Sequence, residues 1–64
     1  MSMVELHQVV ALVNRDGVLV EMTSLVVSPT KAQVLPTFIQ HNQLQANMII
    51  KSHINFKHYV ITGD

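Results

Sequence analysis

The chain of 64 residues contains no cysteine, which excludes disulfide bonds and zinc sites built on thiolates. Its two glycines, Gly17 and Gly63, are too few and too far apart for a glycine-rich phosphate loop. Charged residues make up 12% of the chain, whereas about 25% is usual, and the formal net charge is zero. This balance argues against a dedicated nucleic-acid-binding protein, which normally carries a basic excess.

The length predicts one small domain over residues 1–64, and this size limits how much apolar surface the chain can bury. A domain of this size buries only about 60% of the surface that its unfolded chain exposes. Without disulfides, partner chains are one of the remaining ways to stabilise it. The 48% apolar content favours such association. The missing cysteine and the lack of a basic, then apolar, N-terminal segment predict a cytoplasmic protein with no membrane contact.

Two runs rich in β-branched residues flank the turn Asn14-Arg15-Asp16-Gly17 and predict a β-hairpin. The Asp-Gly pair suggests a two-residue loop, in which Leu12 would face Glu21. A three-residue loop would pair Asn14 with Val18 and set apolar residues opposite each other. Because register normally follows the buried apolar pattern, we predict the three-residue loop.

In that register the second face of the hairpin is also apolar, since Glu5, His7, Glu21 and Thr23 interrupt it only towards its open end. One short helix can cover only one face of a sheet, so the second face needs another chain. The sequence therefore predicts a homo-oligomer whose interface contains Val9, Ala11, Val13, Leu19, Leu25 and Val27.

The segment 28–42 predicts a helix that follows the hairpin. Ser28 is a candidate N-cap and Pro29 suits the first helical position. Apolar residues then recur at helical spacing from Val34 to Ile39. Because Pro36 disfavours a helix interior, we expect an irregular first turn and a regular helix over about 36–41.

Residues 46–61 return to a strand pattern, as one long strand or as two pieces divided near Ser52 and His53. The predicted fold class is α+β, with a hairpin–helix–long strand protomer (ββαβ, or ββαββ if the strand divides). A right-handed crossover would place the last strand antiparallel beside the first, in spatial order 2-1-3. The free edges of such a sheet predict that oligomerisation completes it.

Polar residues alternate along the last strand, at Lys51, His53, Asn55, Lys57 and Tyr59. Two positive charges, several donors and one aromatic ring could hold a small ligand, a nucleotide or single-stranded nucleic acid, with Arg15 as an additional contact. The simpler interpretation is the solvated face of a half-buried strand, which shows the same alternation. We favour the solvated face and keep ligand binding as the alternative.

The four histidines follow no metal-binding spacing, and His53 and His58 would point to opposite faces of a regular strand. We therefore expect neither a metal site nor a cofactor. Acid–base groups are few, so no catalytic residue is predicted. An oligomeric enzyme with histidines meeting at subunit interfaces stays open as a further alternative.

The leading hypothesis is a small, non-enzymatic, homo-oligomeric interaction protein that acts by binding another protein. An accessory or inhibitory protein of a bacterium or phage fits this description. Its partners would be further copies of itself and one other protein, while a nucleotide or nucleic acid is not favoured.

Overall fold

A computed structural model describes residues 2–63, which form a three-stranded antiparallel sheet and one α-helix. The elements are β1 (Ser2–Arg15), β2 (Val18–Val27), α1 (Val34–His41) and β3 (Ile49–Gly63), with 3₁₀ turns at Lys31–Gln33 and Ala46–Met48. The strand order is β2-β1-β3, and β1 pairs antiparallel with both neighbours. The α+β class and the predicted spatial order are therefore confirmed.

The hairpin turn has two residues, so the predicted three-residue loop is wrong. Asp16 and Gly17 both have positive φ, at 54° and 81°, as a type I′ turn requires. Asn14 Oδ1 accepts a 2.9 Å hydrogen bond from the Gly17 N–H. Arg15 pairs with Val18, and this register continues along the whole hairpin. Because both faces of the hairpin carry apolar residues, the apolar pattern specifies the register weakly and the turn decides it.

The corrected register divides the predicted oligomer interface between two faces. Val9, Ala11 and Val13 lie under α1, are completely buried and form the core of the protomer. The other three predicted interface residues, Leu19, Leu25 and Val27, are exposed. Residues paired across an antiparallel ladder point to the same side of the sheet. In the observed register the odd-numbered residues of β1 pair with even-numbered residues of β2. The odd-numbered Leu19, Leu25 and Val27 therefore lie on the opposite face of the sheet from the three buried residues.

The helical segment begins later than its sequence signals suggest. Ser28 Oγ accepts a 3.2 Å hydrogen bond from the Thr30 N–H and so closes a local turn, while Gln33 occupies the N-cap of α1. Pro36 is the third residue of α1. Because the first four N–H groups of a helix have no intrahelical acceptor, a proline at this position costs no helical hydrogen bond. Val34 and Phe38 are buried against the sheet. No helix within residues 2–63 is long and apolar enough to cross a membrane.

The last strand is continuous over Ile49–Gly63, but its pairing with β1 is irregular near the start. Ala11 pairs with Ile54 and Val13 with Ile49, so residues 50–53 lie opposite Leu12 alone. At the other end, β2 finishes opposite Leu6, and the β1–β3 ribbon continues beyond it to Gly63. The described chain is elongated, with extents of 47 × 16 × 15 Å.

Candidate functional site

The sheet surface opposite α1 is the first candidate site, and we call it the open face. It carries the even-numbered side chains of β1, the odd-numbered side chains of β2 and, from Asn55 onward, the odd-numbered side chains of β3. The paired rows across the sheet are Thr23–Val10–Asn55, Leu25–Gln8–Lys57, Val27–Leu6–Tyr59 and Val4–Ile61.

One end of the open face is apolar and accessible. Val27 is 70% exposed, Leu25 64% and Ile61 55%, and Val4 and Tyr59 are also exposed. Because these side chains occupy adjacent rows, they form a continuous surface around Leu6 and are not scattered singly. Contiguous apolar surface of this kind usually marks a contact with another molecule.

The protomer also exposes more surface than a compact monomer of its size. Its accessible area is 4719 Å², roughly 600 Å² above the value of about 4,100 Å² that the surface–mass relation gives for 7.2 kDa. Its radius of gyration is 13.0 Å, against about 11 Å for a compact domain of 64 residues. The fold by itself therefore leaves sheet surface without cover.

The predicted polar stripe is only partly assembled. Asn55, Lys57 and Tyr59 lie in successive rows of the open face. Lys51 and His53 belong to the irregular segment 50–53, and His53 lines a cavity of about 220 Å³ together with Leu12, Glu21 and Asn55.

Arg15 does not join the stripe. It lies at the hairpin turn, nine positions along β1 from the residue that pairs with Tyr59, or roughly 30 Å away at about 3.3 Å per residue. Its Nη2 donates a 3.3 Å hydrogen bond to the backbone oxygen of Asn42. The six predicted binding residues therefore do not converge on one ligand site.

A second candidate site lies on the helix side of the sheet, where β1 and β3 bring two histidines together. His7 pairs with His58, and the rings stack with centroids 4.6 Å apart and an interplanar angle of 14°. His58 Nε2 lies 3.3 Å from Glu5 Oε1. With Pro29, Lys31 and Phe56, these residues line a cavity of about 350 Å³. We call it the histidine cavity.

Sequence reasoning missed this cluster because the two histidines are far apart in the chain and meet only through the β1–β3 register. Their stacked rings do not form a metal centre, since the in-plane lone pairs of parallel imidazoles do not converge on one point. Among residues 2–63 no three His, Asp or Glu side chains are placed to hold a metal ion. The described side chains lining the cavity also include no hydroxyl or thiol nucleophile.

His7 itself is a source of instability that can be measured. The residue is 5% exposed, and its Nδ1 is buried without a hydrogen-bond partner. An unsatisfied buried polar atom costs about 1–3 kcal/mol, so we expect His7→Phe, which keeps a ring against His58, to raise the free energy of unfolding by about 1–2 kcal/mol. Urea denaturation at fixed protein concentration measures this difference.

The matched control is His58→Phe, at the half-exposed partner ring. It should change stability by less than about 0.5 kcal/mol, because the contact between His58 and Glu5 that it removes is only partly buried, with the two side chains 48% and 26% exposed. A clear loss of stability in His7→Phe would contradict the interpretation and show that the His7 nitrogen is satisfied in solution.

Comparison with family models, curated proteins and solved structures gives no match to the chain. No function can therefore be transferred from a relative. Inferences about function therefore start from the geometry of the open face and the histidine cavity.

Proposed function

We propose that this protein is a non-enzymatic, homo-oligomeric interaction protein that acts by binding another protein through its open face. The observation that supports the proposal is the continuous apolar surface that the exposed side chains of Val4, Leu25, Val27, Tyr59 and Ile61 form around the half-buried Leu6.

The size of the uncovered surface is in the right range for protein association. The excess of roughly 600 Å² is close to the area of about 800 Å² that each partner contributes to a standard stable interface. The chain also has a formal net charge of zero, so long-range repulsion between copies is weak. The area therefore suits a protein contact, and the absence of a net positive charge disfavours contacts with polyanions.

The first test is the solution mass of the untagged protein, measured by light scattering on a sizing column across a dilution series. We expect a mass that is a multiple of 7.2 kDa and that falls towards the monomer on dilution. A folded monomer at every concentration would overturn self-association and leave the exposed sheet unexplained.

The alternative function is ligand or nucleotide binding at Asn55, Lys57 and Tyr59, whose adjacent positions on the open face favour it. Replacing Lys51 and Lys57 together by glutamate separates the two functions. The mass of the oligomer should be unchanged, because both lysines lie on β3 and neither is one of the six residues that form the exposed apolar surface. If a nucleotide or single-stranded oligonucleotide binds the parent chain and not this variant, the alternative gains support.

A further inference from the structure

The outer edge of β2 is the less protected of the two free edges of the sheet. Its ten residues include one charge, Glu21, and no lysine, proline or glycine. The other edge, on β3, carries Lys51 and Lys57 and is irregular over residues 50–53. Charges and irregular pairing are the usual protection against unwanted strand addition, and β2 has almost none of it.

The hairpin turn determines which backbone groups of β2 remain free. A two-residue loop makes Arg15 and Val18 a hydrogen-bonded pair, so the even-numbered residues of β2 bond to β1. The same alternation continues just after β2, where the N–H of the even-numbered Ser28 donates a 3.1 Å hydrogen bond to the backbone oxygen of Glu5. The odd-numbered residues therefore direct their N–H and C=O groups outward, and these residues are Leu19, Glu21, Thr23, Leu25 and Val27.

We propose that β2 pairs antiparallel with β2 of a second copy, about a two-fold axis at Thr23. This proposal rests on the self-association in the proposed function and names its surface and its partner. Thr23 then lies opposite itself, Leu19 opposite the partner's Val27, and Glu21 opposite the partner's Leu25. Every outward-facing residue of β2 is used, which gives about ten backbone hydrogen bonds.

The pattern of β2 suits a second copy in this register. Moving the axis by one residue in either direction leaves Val27 or Leu19 opposite a residue outside β2. Placing the axis at Glu21 would set two carboxylates against each other, which is destabilising. With the axis at Thr23, the only charge of each strand faces an apolar side chain, and a threonine pair forms at the centre.

The pairing has a consequence for the open face. A two-fold axis perpendicular to the sheet keeps both open faces on one side and both helices on the other. Two copies of the three-stranded sheet thus become one six-stranded sheet. Leu19, Leu25 and Val27 of both copies meet at its centre, which enlarges the apolar surface offered to another protein.

The decisive test compares Leu25→Glu with Leu25→Lys by sedimentation equilibrium. Leu25 is 64% exposed, so neither change disturbs the protomer core, and circular dichroism verifies the fold. In the proposed register position 25 lies opposite Glu21 of the partner, twice per dimer. Leu25→Glu should dimerise about tenfold more weakly than Leu25→Lys. Equal weakening by both charges would point to apolar packing of the open face and overturn the β2 pairing.

A second pair of variants distinguishes this pairing from the broader proposed function. Thr23→Pro removes an outward N–H and should give a folded monomer, whereas Ile61→Lys alters the open face on β3, two strands across from β2, and should still dimerise. If Thr23→Pro dimerises and Ile61→Lys does not, the β2 pairing is overturned while self-association through the open face stands. If the unaltered chain is monomeric, both proposals fail.

Discussion

Phe38→Ala is expected to lower the free energy of unfolding by about 3–5 kcal/mol and to leave the chain largely unfolded at room temperature. Phe38 is completely buried and is the largest side chain that α1 packs against the sheet. Its removal leaves a cavity between α1 and the core residues Val9, Val13 and Val26. A domain this small has little more than about 5 kcal/mol of total stability, so the loss is comparable with the whole.

Thermal and urea denaturation followed by circular dichroism measure this effect, at one fixed protein concentration because association contributes to stability. Gln40→Ala is the matched control, since Gln40 lies on the same helix and is exposed. It should change stability by less than about 0.5 kcal/mol. A Phe38→Ala protein as stable as this control would show that α1 does not pack on the sheet as described.

Proline at two adjacent positions of β2 should have opposite effects, and this is the second large prediction. Ser24 belongs to the even-numbered set, so its N–H bonds inward to Val9, and Ser24 Oγ also accepts a 3.1 Å hydrogen bond from Asn42 Nδ2. Ser24→Pro removes the inward bond in the middle of the hairpin and should cost about 3 kcal/mol or more. Thr23→Pro removes only an outward N–H, which an edge strand tolerates.

Thermal melting of the two variants, each diluted until it is monomeric, measures the difference without any contribution from association. We expect Thr23→Pro to melt cooperatively near the parent and Ser24→Pro to lack a folded baseline. If Ser24→Pro melted near the parent and Thr23→Pro did not fold, the odd-numbered residues of β2, and not the even-numbered ones, would bond to β1. The type I′ assignment of the Asp16-Gly17 turn would then be wrong as well.

The histidine cavity illustrates a limit of reasoning from local pattern. His7 and His58 each lie in an ordinary strand pattern, and nothing near either residue in the chain points to the other. They stack only because β1 and β3 pair in a register that sets these two positions opposite each other. Contacts between distant strands depend on the whole sheet, so a single sequence does not reveal them.

The sequence by itself determined the order of the elements, because each has a strong local cause. β-branched runs form the strands, Asp16-Gly17 forms the turn, and helical spacing from Val34 to Ile39 forms α1. The handedness of the crossover then places β3 beside β1. These features need no knowledge of how the faces pack.

Only the tertiary structure decided which apolar residues are buried and which remain available for binding. Val9 and Leu25 look equivalent in the sequence, yet Val9 is completely buried and Leu25 is 64% exposed. The physical reason is that a one-residue difference in register transfers every side chain of a strand to the other face. The short turn sets that register here, and with it the composition of both the core and the open face.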